Sequence, residues 1–234
     1  MDLSSTSRSR AKGGGAQQAA EPQSAPPPAP SLEALVAELR ACRVCVEHPK
    51  GAPLPHEPRP VLRVSTTARL AVAGQAPGTR VHRSGIPFSD PSGERLRAWM
   101  GVTADEFYDE SRVAIVPMGF CFPGLDAHGG DLPPRKECAP LWRDRLFAAL
   151  PNIELVLLVG LYAHRWHLPR GWHGPMTTTV RNASDILAAG GSPRLFPLPH
   201  PSWRNNHWIK QNPWFDGKVL PLLKAEVRRL LDPA

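Results

Sequence analysis

The sequence has no apolar run near the ~20 residues that a membrane-spanning helix requires, which excludes such a helix. Its N-terminus carries no apolar core of a secretory signal, so a cytoplasmic location is expected. Cysteine is scarce, with four in 234 residues, too few for a disulfide-stapled scaffold of this size. In a reducing compartment those thiols stay free for a metal or a structural role. Acidic residues are nearly missing from one long stretch: between Leu155 and Phe215 there is only Asp185.

The length suits one domain with a tail, and it is long enough to bury a core unaided. The formal net charge is +7. Residues 1–31 hold three basic and two acidic residues, a contribution of +1, so +6 belongs to the body. Excess positive charge is weak evidence for a polyanionic partner. Its distribution says more. The acid-poor stretch carries Arg165, Arg170, Arg181, Arg194, Arg204 and Lys210, with five of the nine His and five of the seven Trp. Cations interleaved with aromatics suit phosphates and unstacked bases; a basic face over core tryptophans fits the same pattern equally well.

Residues 1–31 are rich in Ser, Gly, Gln, Ala and Pro and read as a disordered tail. Folding is expected from Ser31, an N-cap followed by Leu32, Leu35, Val36 and Leu39 at helical spacing. A Pro-rich stretch runs to Pro60. Short apolar strands are predicted at 69–73, 113–116, 154–159 and 195–198. Helices are predicted at 91–100, with Asp90 as N-cap and Pro91 in the first turn, at 136–150, from 160 to about 168, and at 213–231. A loop is expected between Gly78 and Asp90. Strands alternating with helices predict an α/β fold: a three-layer α/β/α sandwich around a mostly parallel four-stranded sheet, in one domain over 32–234. Ligands bind such sheets at the carboxyl ends of the strands. Two strand-end segments stand out there, Gly74-Gln75-Ala76-Pro77-Gly78 and His200-Pro201-Ser202.

Those two segments, with Gly85-Ile86-Pro87-Phe88 between them, resemble the motifs of the uracil-DNA glycosylase superfamily, most closely its iron–sulfur branch (family 4). The resemblance runs from about Leu35 to Leu231. It implies a monomeric DNA-repair enzyme that flips a nucleotide out of DNA and hydrolyses its N-glycosidic bond, leaving an abasic site. Phe88 matches the phenylalanine that stacks on the base. His200 matches the histidine that hydrogen-bonds the base O2 as negative charge develops on the leaving group. Gly74 and Gln75 shape the pocket floor. The loop Ser202-Trp203-Arg204-Asn205 is where that family probes the duplex, Trp203 or Arg204 being candidates to wedge into the stack.

The cysteines fit the same branch. Cys42 and Cys45 are two residues apart in a C-x-x-C pair, and Cys121 and Cys138 follow in segments resembling its cluster-binding stretch. Four thiolates suit a [4Fe–4S] cluster, tetrahedral zinc as an alternative, or four unrelated buried thiols.

Two departures bear on chemistry. Gln75 stands where the family has glutamate, and Ala76 where other branches place a water-activating aspartate. Asp90 is the candidate substitute, either as N-cap alone or also orienting water; His82, in the expected loop, is the weaker one. Pro117 stands where the family reads uracil with asparagine, so base discrimination is expected from backbone groups near Met118–Phe120 or from another side chain. His128, between the third and fourth cysteines, falls where a crosslinking branch carries a covalent histidine, but that branch's basic loop is absent and a surface loop is expected. The expected function is therefore excision of uracil or a related deaminated base. The alternatives are a non-catalytic damage-binding module on the same fold, or a glycosylase for hypoxanthine, xanthine or mismatched thymine.

Overall fold

The computed structural model describes residues 30–232, so most of the expected tail lies outside the described residues. In chain order the elements are α1 (Leu32–Arg40), α2 (Val44–Glu47), β1 (Leu70–Ala73), α3 (Thr79–Ser84), α4 (Pro91–Met100), α5 (Ala104–Tyr108), β2 (Val113–Ile115), α6 (Cys138–Ala148), β3 (Leu155–Val159), α7 (Leu161–His167), α8 (Met176–Arg181), α9 (Ala183–Ala188), β4 (Arg194–Leu198), α10 (Asn206–Gln211) and α11 (Leu220–Leu231). The four strands form one sheet in the order β2-β1-β3-β4, parallel throughout.

Each strand is apolar on both faces, as a covered parallel sheet requires. Alternate residues go to opposite sides. Leu70, Val72, Leu155, Leu157, Phe196 and Leu198 pack with residues of α4, α5 and α11. Ala71, Ala73, Val156 and Leu158 pack with residues of α1 and α6. The result is the expected three-layer sandwich.

The Ser31 hydroxyl caps α1 at Ala34 N–H, and α4 begins at Pro91 behind an Asp90 cap, both as predicted. The expected loop over 79–90 instead contains α3. That short helix is stabilised from a distance: Arg59 Nη1 donates to the carbonyls of His82 and Arg83, at 2.7 and 2.8 Å, satisfying orphan acceptors at its C-terminus. The expected helix over 213–231 runs unbroken from about Trp214 to Leu231, but not as α-helix throughout. Its first turn, Phe215–Val219, is π-helical, and the wider turn brings Phe215, Val219, Leu220 and Leu223 all to the core. The glycine-rich segment after Cys121 is a bonded turn rather than a loose loop: Asp126 Oδ1 accepts from the N–H groups of His128 and Gly130, both at 2.8 Å.

Candidate active site

Because every strand runs the same way, Gly74, Pro117, Gly160 and Pro199-His200 follow the strands along one edge of the sheet. The β1–β2 ladder continues past both strands. Met118 N–H donates to Gly74 O at 2.8 Å and Gly119 N–H to Gln75 O at 2.9 Å, which holds the first motif rigid. Pro117 breaks nothing here. Val116 and Met118 supply the N–H groups that face β1, so position 117 points its nitrogen away from that strand.

Phe88 covers this floor. A Cβ at position 74 would lie 2.9 Å from Phe88 Cζ, so only glycine lets the ring come so close to the backbone. Phe88 has φ 55°, a left-handed conformation that is costly for a bulky residue and persists only when surroundings over-determine it. Three groups do so. Tyr108 Oη donates to the carbonyls of Pro87 and Phe88, at 3.0 and 3.1 Å, and Arg97 Nη1 donates to Phe88 O at 3.3 Å. Gly93 packs beneath: a Cβ there would fall 1.8 Å from Phe88 O. The ring itself meets Phe107 edge-on at 5.9 Å.

His200 stands at the end of β4. Ser202 N–H donates to its Nδ1 at 3.2 Å, so the neutral ring carries its proton on Nε2. Asn205 Nδ2 donates to His200 O at 2.7 Å, and Arg95 Nη1 donates to Ser202 O at 3.2 Å. Burial holds the imidazole below its ordinary pKa, opposed by the Asp90 charge. His200 is therefore a neutral Nε2–H donor with a carboxylate nearby. Asp90 serves as the N-cap: Oδ1 accepts from Gly93 N–H at 3.1 Å, and its charge is also felt at His200.

The sequence reading missed Asp131. Its Oδ2 lies 3.0 Å from where a Cβ on Gly78 would sit, beside the first motif. Burial raises its pKa, Arg204 opposes, and Asp90 and Asp126 add to the rise. Asp90 and Asp131 are thus within electrostatic reach of one another, and Asp131 lies beside the motif that lacks its usual carboxylates. Asp131 lies far along the chain from that motif, within a Gly- and Pro-rich stretch. Only the turn capped by Asp126 carries it there, so no local signal marked it.

Three other expectations are corrected. Met118 is 4% exposed within the core and does not offer itself to a base. The N–H groups of Met118 and Gly119 are spent in the ladder, and Phe120 N–H donates to Cys138 Sγ at 3.4 Å. The backbone of 118–120 therefore has no free donor to read a base with. Asn205, expected on DNA, is half-buried and donates to the His200 carbonyl. Trp203 and Arg204 remain outward: Trp203 is 74% exposed, and Arg204 stacks beside it at 5.9 Å. Half-buried Gln75 retains its place on the floor. His82 is not a loop histidine but part of α3, in a cluster with His56 and Phe122.

The four cysteines are unpaired and within electrostatic reach of one another. Like-charge repulsion from the other three thiols is felt at Cys138, and from Cys42 and Cys45 at Cys121. Arg135 and Glu137 hold the two segments together: Arg135 Nη1 donates to Ala52 O at 2.8 Å, and Glu137 Oε1 accepts from Lys50 N–H at 2.8 Å. Burial pushes the Cys121 and Cys138 thiols up to about 12. Donors nevertheless face three sulfurs, from Phe120 N–H, the Arg59 backbone and the Arg135 side chain, an arrangement suited to thiolate. Among the described residues, no three His, Cys, Asp or Glu are grouped as a site for a metal ion.

Burial also holds His164 and His167 below the ordinary imidazole value, His167 down to about 3 with the buried Arg143 charge adding to the effect. A histidine whose folded pKa is lowered contributes stability that is complete above the unfolded value of about 6.5 and lost below it. Stability is expected to fall as pH drops from about 6.5, each such histidine adding a slope of about 1.4 kcal/mol per pH unit until its folded pKa is reached. Urea midpoints between pH 8 and pH 4 check this; a flat profile contradicts it.

Phe88 over Gly74, the neutral His200 imidazole and the Asp131 carboxylate thus lie around the carboxyl ends of the parallel strands. The chain belongs to the uracil DNA glycosylase superfamily, whose model matches residues 63–224. That places it among the DNA-repair glycosylases. No helix among the described residues is long and apolar enough to cross a membrane.

Proposed function

We propose that the protein excises uracil, or a related deaminated base, from DNA. The observation that carries this is His200, held neutral with Nε2–H as its donor by Ser202 N–H, at the same strand-end edge as Phe88 over Gly74. The flipped base stacks on Phe88. The bond between C1′ and the base nitrogen breaks with its electron pair going to the base, and the negative charge that collects on O2 is met by His200 Nε2–H. A water adds to C1′ and gives its proton to the Asp131–Asp90 pair, and the base takes a proton from solvent. General-base help of this kind is worth about 10²–10⁴-fold. Trp203 and Arg204 face the duplex.

The test is cleavage of a duplex with one uracil, followed by alkaline scission at the abasic site, for wild type and Asp131→Asn. Wild type is expected to cut. Asp131→Asn is expected to lower kcat by about 10²-fold with KM little changed. No cleavage by folded wild type of single- or double-stranded uracil DNA overturns the reading. A specific observation favours a second reading, that hypoxanthine, xanthine or mismatched thymine is the preferred base. Pro117 has no amide, and the backbone donors beyond it are spent. A panel of single-lesion duplexes ranks these substrates.

We also propose that Cys42, Cys45, Cys121 and Cys138 hold a [4Fe–4S] cluster. Support comes from the number of thiols and from the donors that face three of their sulfurs; no three of them are grouped as a metal site among the described residues, and a bound cluster would cross-link α2, α6 and the segment after β2. Protein purified without oxygen is expected to be brown and to contain iron and sulfide, and Cys138→Ser to lose both. Colourless, iron-free wild type contradicts this.

A further inference from the structure

A cavity of about 620 Å³ opens beside α7, away from the cysteines. It is lined by Arg165, Arg170, Trp172, His173 and His164, among others. Two features mark it as a site. First, Arg165 and Arg170 are exposed, and neither takes part in an ion pair among the described residues. The only acid between Leu155 and Phe215 is Asp185, and it is not in the lining. Second, Trp172 is half-buried, with part of its indole at the cavity wall.

Behind that wall, His164 is 3% exposed and carries an unsatisfied atom. Its Nε2 lies 3.0 Å from both Leu158 O and Leu198 O. Both partners are acceptors, so Nε2 holds the proton and Nδ1 is a bare lone pair. That Nδ1 is buried and has no partner.

We propose that this cavity is a second binding site, for a nucleotide. Arg165 and Arg170 take the phosphate and Trp172 stacks on the base. Guanidinium forks suit phosphate oxygens, every base has a face to stack, and the volume lies within the range of small-ligand pockets. The site adjoins the strand-end site without sharing a side chain with it. Its helix, α7, starts at Gly160, where a Cβ would sit 3.5 Å from His200 Cβ. His164 also binds the carbonyl of Leu198, two residues before His200, so an occupant would lean on the residue that holds the β4 end.

The nucleotide has two sources, a free mononucleotide or one residue of a bound strand, and the experiment separates them. Calorimetry on the full chain uses dAMP, deoxyadenosine and inorganic phosphate, with wild type, R165Q/R170Q and W172L. Saturable dAMP binding is expected, with deoxyadenosine and phosphate each at least about tenfold weaker. R165Q/R170Q is expected to weaken dAMP at least about tenfold, and W172L to weaken dAMP while leaving phosphate unchanged. Both arginines are exposed, so that variant reads binding even if W172L is destabilised. An undamaged single-stranded oligonucleotide that displaces dAMP assigns the site to a strand residue; failure to displace it assigns the site to free nucleotide. Absence of saturable dAMP binding, or equal binding by wild type and R165Q/R170Q, overturns the proposal. Binding is read without cleavage, so the result stands whichever base the active site removes.

Discussion

Replacing His200 by alanine is expected to lower kcat on a uracil-containing duplex by about 10²–10³-fold, the usual cost of removing one preorganised donor from developing negative charge. KM should change little, because the bond to O2 strengthens only as the glycosidic bond breaks. The ring takes a single hydrogen bond, from Ser202 N–H, so thermal stability should stay close to wild type. Asn205→Ala is expected to be milder, since its amide holds the His200 carbonyl rather than the imidazole. Single-turnover cleavage of a labelled duplex distinguishes these outcomes. A His200→Ala enzyme with wild-type single-turnover rates would remove this residue from leaving-group stabilisation and place the charge on another donor.

Gly93→Ala is expected to be the most damaging single-methyl change in the molecule. The added Cβ would fall 1.8 Å from Phe88 O, and that atom is backbone, so no side-chain rotation relieves the overlap. The carbonyl is also held by Tyr108 and Arg97, so it cannot move without breaking those bonds. Overpacking of this kind costs about 1–3 kcal/mol or more. Stability should fall by at least about 2 kcal/mol. Activity should fall further than stability explains, because Phe88 sits in a left-handed conformation that this packing sustains. Tyr108→Phe supplies the graded comparison: it removes the hydroxyl beneath Pro87 and Phe88 without adding bulk. If Gly93→Ala unfolds at the wild-type denaturant concentration and cleaves normally, the close contact does not set the Phe88 backbone.

Much of the framework was legible along the chain. Continuous apolar runs such as Leu155–Val159 announced doubly covered strands, and Asp90-Pro91 placed the start of α4 correctly, because capping is a local interaction. The same holds for Ser31. The helix α3 was not legible, since Arg59, more than twenty residues earlier, caps its end. The π-helical turn at Phe215 was not legible either, because the need to bring Phe215 and Val219 to the same core is imposed by packing.

The site divides along the same line. Motif residues on or next to strand ends, Gly74, Phe88 and His200, were identified by their type and order, and the parallel sheet brings them to one edge. What depended on contacts between distant segments was hidden. Asp131 reaches the first motif only through the Asp126 turn. The N–H groups after Pro117 were offered as base readers, yet the ladder to Gly74 and Gln75 and the Cys138 sulfur consume them. The hydrogen bond from Asn205 to the His200 carbonyl was hidden too. The sequence by itself determined the fold class, the superfamily and the motif residues, because hydrophobic periodicity, caps and short motifs are encoded within a few neighbouring positions. Only the tertiary structure decided the tautomer of His200, the place of Asp131 beside the first motif and which donors remain free. Each of those is a question of which atom meets which across tens of residues, and hydrogen-bond partners are assigned by proximity in space.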